Sequence, residues 1–267
     1  MSQTRAAETE RLSILDRELD QQPHGTDLGS ELFAVTDLLD TEVTLRRALT
    51  DPTQDAERRA ALARSVLTDK VSTATLAVVE AATKQRWSGT TAFLAALERQ
   101  AVRAEFLAAN ERGALDQVED ELFRFVRTVQ ANGELRDALG QQRVDLQARQ
   151  ALVGRLLDGK ADHTTIELAR RAVKARTRTF ADTAEGYLSL AAQLRNRVVA
   201  TVKVAKPLNE SQAERLRSAL TRQVGRQVDI HVVVEPELLG GVRVELGDEV
   251  IEGTVAARLD DANRRIA

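Results

Sequence analysis

Leucines set the first pattern in the chain. Leu12, Leu15 and Leu19 recur at intervals of three and four, which marks one face of a helix, and Pro23-His24-Gly25 ends that segment. The same periodicity predicts helices over 27–41, 53–67, 73–86 and 90–110. Asp51-Pro52-Thr53 reads as a turn leading into the second of these. Alanine is abundant in all of them and favours helix.

The helical pattern repeats. "ELF" at Glu31–Phe33 returns at Glu121–Phe123, an offset of 90 residues. At that offset "LRRAL" (45–49) meets "LRDAL" (135–139), and "DAERRAALARSVLTDK" (55–70) meets "DLQARQALVGRLLDGK" (145–160). "AATKQR" (81–86) meets "RAVKAR" (171–176). A period of 90 exceeds the roughly 20–50 residues of solenoid units, so each copy is expected to hold several helices and a core. After Arg197 the texture changes to alternating β-branched residues over 198–205, broken by Pro207. A helix capped by Asn209 and a strand over 228–235 follow. In "GGVRVELG", Val242, Val244 and Leu246 alternate with Arg243 and Glu245, a half-buried strand. "EPELLGG" between these two strands reads as a hairpin-like turn, and the segment from Gly253 onward reads as a last helix. The predicted fold is α+β and mostly α: helical bundles over 1–112 and 113–197, then a small α+β domain over 198–267.

Composition narrows the function. Aromatics are 3% of the chain and the net charge is −3, which suits aliphatic helix packing and argues against a nucleic-acid binder. There is no cysteine, hence no disulfide, thiolate nucleophile or cysteine-ligated zinc. The charged start has no signal-peptide core, and no run approaches about 18 apolar residues. Membrane association is therefore expected only through a partner.

Candidate chemistry is sparse. Gly154, Gly159 and Lys160 fit the start of a phosphate loop, but Ala161 replaces the required hydroxyl and the stretch lies in a predicted helix rather than after a strand. His24, His163 and His231 lack a metal-ligating partner three or four residues on. The basic run 169–178 could meet an acidic partner or be a solvated helix face, and the lack of interleaved aromatics favours the latter. Trp87 reads as an inter-helix packing residue. No catalytic, cofactor or metal site is expected. The amphipathic helices could form core alone, or leave a groove that accepts a foreign helix.

The Gly-Gly pair at Gly240 and Gly241 sits between strands, which makes it a structural turn and not a phosphate loop. With Gly247, Asp248, Gly253, Arg258 and Leu259, it resembles the C-terminal signature of the ATP synthase delta (oligomycin-sensitivity-conferring protein) family. Glu252 and Thr254 are conservative departures from that signature. The duplicated helical region is similar to the longer delta regions of actinobacterial enzymes, some of which are fused to a b-type membrane stalk; without a membrane helix this chain looks like the unfused form. The resemblance implies a non-catalytic stator subunit at the cytoplasmic face of the cell membrane, binding the N-terminal helices of the alpha subunits and the C-terminal region of the b subunit. It also implies an alpha-binding groove between Leu12, Leu15 and Leu19 on one side and Leu76, Val79 and Thr83 on the other. The competing reading is a helical-repeat adaptor unrelated to ATP synthase.

Overall fold

The computed structural model describes residues 2–23, 25, 27–140, 143–174, 179–195, 197–224, 227–235, 238, 241–246 and 249–254. The chain divides into two compact units, Met1–Ala191 and Ala192–Ala267.

The first unit is all helix: α1 (Ser2–Asp20), α2 (Asp27–Thr41), α3 (Val43–Thr50), α4 (Ala56–Leu67), α5 (Thr73–Lys84), α6 (Thr90–Glu111), α7 (Leu115–Ala131), α8 (Gly133–Gly140), α9 (Leu146–Leu157), α10 (His163–Val173) and α11 (Phe180–Arg195). The offset of 90 holds in three dimensions. It carries α3 onto α8 and α4 onto α9 end for end, and it carries α2 and α5 onto α7 and α10 within a residue or two.

The polar contacts repeat with the helices. Glu31 accepts from the backbone N–H of Ser72 (2.9 Å) and the hydroxyl of Thr75 (2.5 Å). Ninety residues on, Glu121 accepts from the N–H of Asp162 (2.7 Å) and the hydroxyl of Thr165 (2.8 Å). Each glutamate thereby satisfies donors that the start of α5 or α10 leaves open. Burial raises the Glu31 carboxyl, but the hydrogen bonds from Ser72 and Thr75 outweigh it and hold the group below its ordinary value. At the other end of the same helices, Arg59 Nε donates to the Thr83 carbonyl (2.9 Å) and Arg149 Nη1 to that of Val173 (3.3 Å). Asp69 and Gly159, again 90 apart, both take positive φ where α4 and α9 end. That left-handed turn suits glycine better than aspartate.

The same shift relates α1 to α6, so the long helix α6 serves twice. It closes the bundle of α1–α5 and stands in the α1 position beside α7 and α10. Its residues from Gln100 to Phe106 are buried without interruption, as a helix packed on all sides must be. Asp16 on α1 meets Arg99 and Gln100 on α6, the latter at 2.9 Å, and Asp20 pairs with Arg103 at 2.5 Å. Burial raises the Asp16 carboxyl, but the hydrogen bond and charge of Arg99, with Arg103, hold it below the usual range.

The second unit is a four-stranded sheet with one helix described: β1 (Arg197–Val204), α12 (Glu210–Val224), β2 (Gln227–Val234), β3 (Gly241–Leu246) and β4 (Glu249–Thr254). Asn209 and Gln212 cap α12 reciprocally, side chain to backbone N–H, at 2.9 and 3.0 Å. Leu216, Leu220 and Val224 pack over Ala200, Val202, Val204, Val228 and Val244.

The strand order is β2-β1-β3-β4, with β1 parallel to β2 and antiparallel to β3. This corrects the expected hairpin between the strand at 228–235 and the Gly-Gly strand. The helix between β1 and β2 is long enough to return the chain for parallel pairing, so β2 takes one edge of β1 and β3 the other. β2 and β3 therefore flank β1 and do not pair with each other. The hairpin lies one step later, where Leu246 faces Glu249 across β3 and β4. Gly253 and Thr254, expected to open a helix, extend β4. The rest of that helix, 255–267, lies outside the described residues.

Candidate partner-binding site

α1 and α5 do lie side by side, and they bring together the residues assigned to the groove. They bring them inward, however. Leu15, Leu19 and Val79 are 0% exposed and Thr83 is 1% exposed. Only Leu12 and Leu76 are partly open, packed on the rim of the same core. A substitution at Val79 would therefore perturb the core and not a docking surface. The outward parts of this edge are Leu12, Leu76 and the small residues Ala74, Ala77 and Ala81 of α5.

The repeat supplies a second edge of the same kind, between α6 and α10. Here α2 and α9 stand on either side, and the four helices enclose a cleft of about 990 Å³. Most of the residues lining it are polar or charged. Arg112 pairs with Asp162 (3.2 Å) and reaches the Thr164 hydroxyl (3.1 Å). Arg170 pairs with Glu167 at 2.9 Å. Arg171 binds Glu98 and Asp37, and lies 4.6 Å over the Phe33 ring. Lys174 also pairs with Asp37. Burial lowers the Arg171 guanidinium, yet Glu98 and Asp37 together raise it above its ordinary value. The Tyr187 hydroxyl donates to Glu98 at 3.3 Å; burial and then that carboxylate push its pKa up.

The basic run is thus not a solvated face where it is described: Arg171 and Lys174 tie α10 to α2 and α6. Its remainder, 175–178, lies outside the described residues. On the cleft floor sits Glu105, 5% exposed. Burial first, then Glu167 and Asp162, raise its pKa from 4.5 to about 7 against the pull of Arg112. Sequence reading missed this residue. The signal lay in the repeat, because the position 90 residues earlier is Leu15, a core leucine.

The other candidates resolve plainly. Gly154 lies inside α9, and Gly159 takes φ +67° just past its end. Lys160 Nζ donates to the Leu156 carbonyl at 3.2 Å. The stretch is a helix and its stop, and the described element before it is the helix α8. The Trp87 indole donates to the Ala82 carbonyl at 2.8 Å, and its ring lies 6.3 Å from Phe93. His163 opens α10 and is exposed, His231 lies in β2, and His24 is outside the described residues. Among the described residues no cluster of His, Cys, Asp and Glu could hold a metal, and no helix is long and apolar enough to cross a membrane. Of the signature residues, Gly241 opens β3 with φ +89° and Gly253 lies opposite Val242. That φ is one that glycine adopts without strain. Gly240, Gly247, Asp248, Arg258 and Leu259 lie outside the described residues.

Comparison with known proteins decides the family. The model of the ATP synthase delta (OSCP) subunit family matches residues 97–266. The chain belongs to this family. The ATP synthase subunit delta of Streptomyces coelicolor is 44% identical over the whole of both chains. That of Streptomyces avermitilis is 46% identical over 90% of this chain and 88% of its own. That of Thermobifida fusca is 39% identical over 99% and 98%. The family match begins inside α6, so it takes in the second helical repeat and the sheet unit. The first five helices are shared with the full-length relatives. Membership sets aside the reading as an unrelated adaptor, and the family is one of structural stator subunits without catalysis.

Proposed function

We propose that the chain joins the catalytic head of the F-type ATP synthase to its peripheral stalk, with the helical unit binding the N-terminal helices of the alpha subunits and the C-terminal unit binding the C-terminal region of the b subunit. The chain is a non-catalytic delta subunit, and the observation that carries the reading is its 44% identity to a delta subunit from end to end. Two features support the division of labour. The helical unit offers two equivalent helix-pair edges, α1/α5 and α6/α10, each of a form that receives a foreign helix. The C-terminal unit has its own core beneath α12, so it can hold a second partner without borrowing the first unit's packing. A link that resists rotation needs a slowly dissociating interface rather than a pocket. We place the subunit at the cytoplasmic face of the cell membrane, held there through the stalk. Tagged full-length chain should co-purify with alpha and b subunits, and deletion of 192–267 should release b while retaining alpha. Retention of b by the deleted chain would overturn the division.

A further inference from the structure

Glu105 is out of keeping with its surroundings. It is 5% exposed, and it makes no hydrogen bond or ion pair among the described residues. The basic groups around it are engaged elsewhere: Arg112 with Asp162, Arg170 with Glu167, and Arg171 with Glu98 and Asp37. A buried carboxyl without a partner is costly. The fold does not ask for it, because the equivalent position in the first bundle is Leu15, fully buried in the core. An acid kept where leucine would pack points to something that binds it.

We propose that Glu105 is the anchor for a basic side chain, lysine or arginine, carried by a partner helix that seats in the cleft between α2, α6, α9 and α10. The inference rests on the alpha-binding reading above and names that helix as the alpha subunit's N-terminal helix. The cleft wall runs along α2 from Asp27 to Asp37 and along α10 from His163 to Arg171, which is room for roughly two to three helical turns at about 1.5 Å per residue. Ala34, Ala108 and Ala151 face the same space, so a helix backbone can come close. The charged or titratable groups around the cleft that holds Glu105 are Asp27 and Asp37 on α2, Arg112 just past α6, Asp162 before α10, and His163, Glu167, Arg170 and Arg171 on α10; α9 contributes only the uncharged Gln147 and Gln150. Acids prevail around the floor, which favours a cationic guest.

Proton linkage makes the anchor measurable. In the free chain Glu105 is partly protonated near neutrality, and a cation beside it drives the proton off. Binding therefore releases protons and strengthens as pH rises from 6 to 8. The test is calorimetry of the full-length chain with a synthetic peptide of the alpha subunit's N-terminal residues, near pH 6.5 in two buffers of different ionisation heat. Wild type should release a fraction of a proton. Glu105→Gln and Glu105→Leu should lose that release and weaken binding by about tenfold or more, the scale of a charged hydrogen bond. Release that is lost in His163→Gln and kept in Glu105→Gln would overturn the anchor. Glu105→Leu installs the first bundle's own residue, and an unchanged Trp87 emission certifies its fold. Equal affinity and equal proton release in wild type and Glu105→Leu would overturn the anchor while leaving the alpha-binding reading intact. A peptide that fails to bind wild type would overturn both.

Discussion

Glu105→Gln should stabilise the helical unit at pH 8 and leave it unchanged near pH 4. The carboxyl is raised from 4.5 to about 7, chiefly by burial and then by Glu167 and Asp162. An acid that ionises more readily in the unfolded chain costs stability once pH exceeds its unfolded value. The cost is absent below pH 4.5, grows across the interval and is complete above about pH 7, where it amounts to about 3 kcal/mol. Glutamine keeps the shape and removes the charge, so it removes that cost. Trp87 is the chain's one tryptophan and lies in the helical unit, so its fluorescence reports unfolding of that unit in urea. With slopes of about 1–3 kcal/mol per molar, the variant's midpoint should exceed that of wild type by about 1–3 M at pH 8 and match it near pH 4. A midpoint difference that does not change with pH would refute the burial of an unpaired carboxyl.

Further substitutions probe the packing that shapes the cleft and the bundles, all by the same urea midpoint. Arg59→Met strips donors from the carbonyls of Thr83, Lys84 and Gln54 and should cost about 3 kcal/mol. Gly29→Ala drives a methyl group into the Glu105 side chain and should cost about 1–3 kcal/mol; Glu105→Ala in the same chain should recover most of that loss, as a double-mutant cycle would reveal. Phe33→Ala should cost about 3 kcal/mol because the ring lies under Arg171 and on the core, whereas Phe123→Ala, at the equivalent but 52% exposed position, should cost under about 1 kcal/mol.

Much of this was legible in the residues themselves. Leucine spacing located α1, α2, α5 and α6 closely, because burial of one helical face leaves a period. The offset of 90 was visible because the pairs Glu31/Glu121 and Arg59/Arg149 hold the same helix ends in both bundles. What the sequence hid was relational. An apolar stripe looks the same in a groove and in a core, so Val79 and Leu15 read as docking residues when they are packing residues. Sharing of α6 between two bundles leaves no local mark, since each bundle claims a different face of it. Strand order was hidden too: alternation at 228–235 and 242–246 marks two strands, but only the α12 crossover places β1 between them. Glu105 reads as one more helical charge until its counterpart, Leu15, is set beside it.

On the proposed function, one chain holds the head and the stalk at the same time through separate units. Analytical ultracentrifugation of the full-length chain with an alpha N-terminal peptide and the soluble C-terminal segment of b tests it directly. A ternary complex should form, in which saturation with either partner leaves the affinity for the other unchanged. Competition between the two for the chain would contradict it.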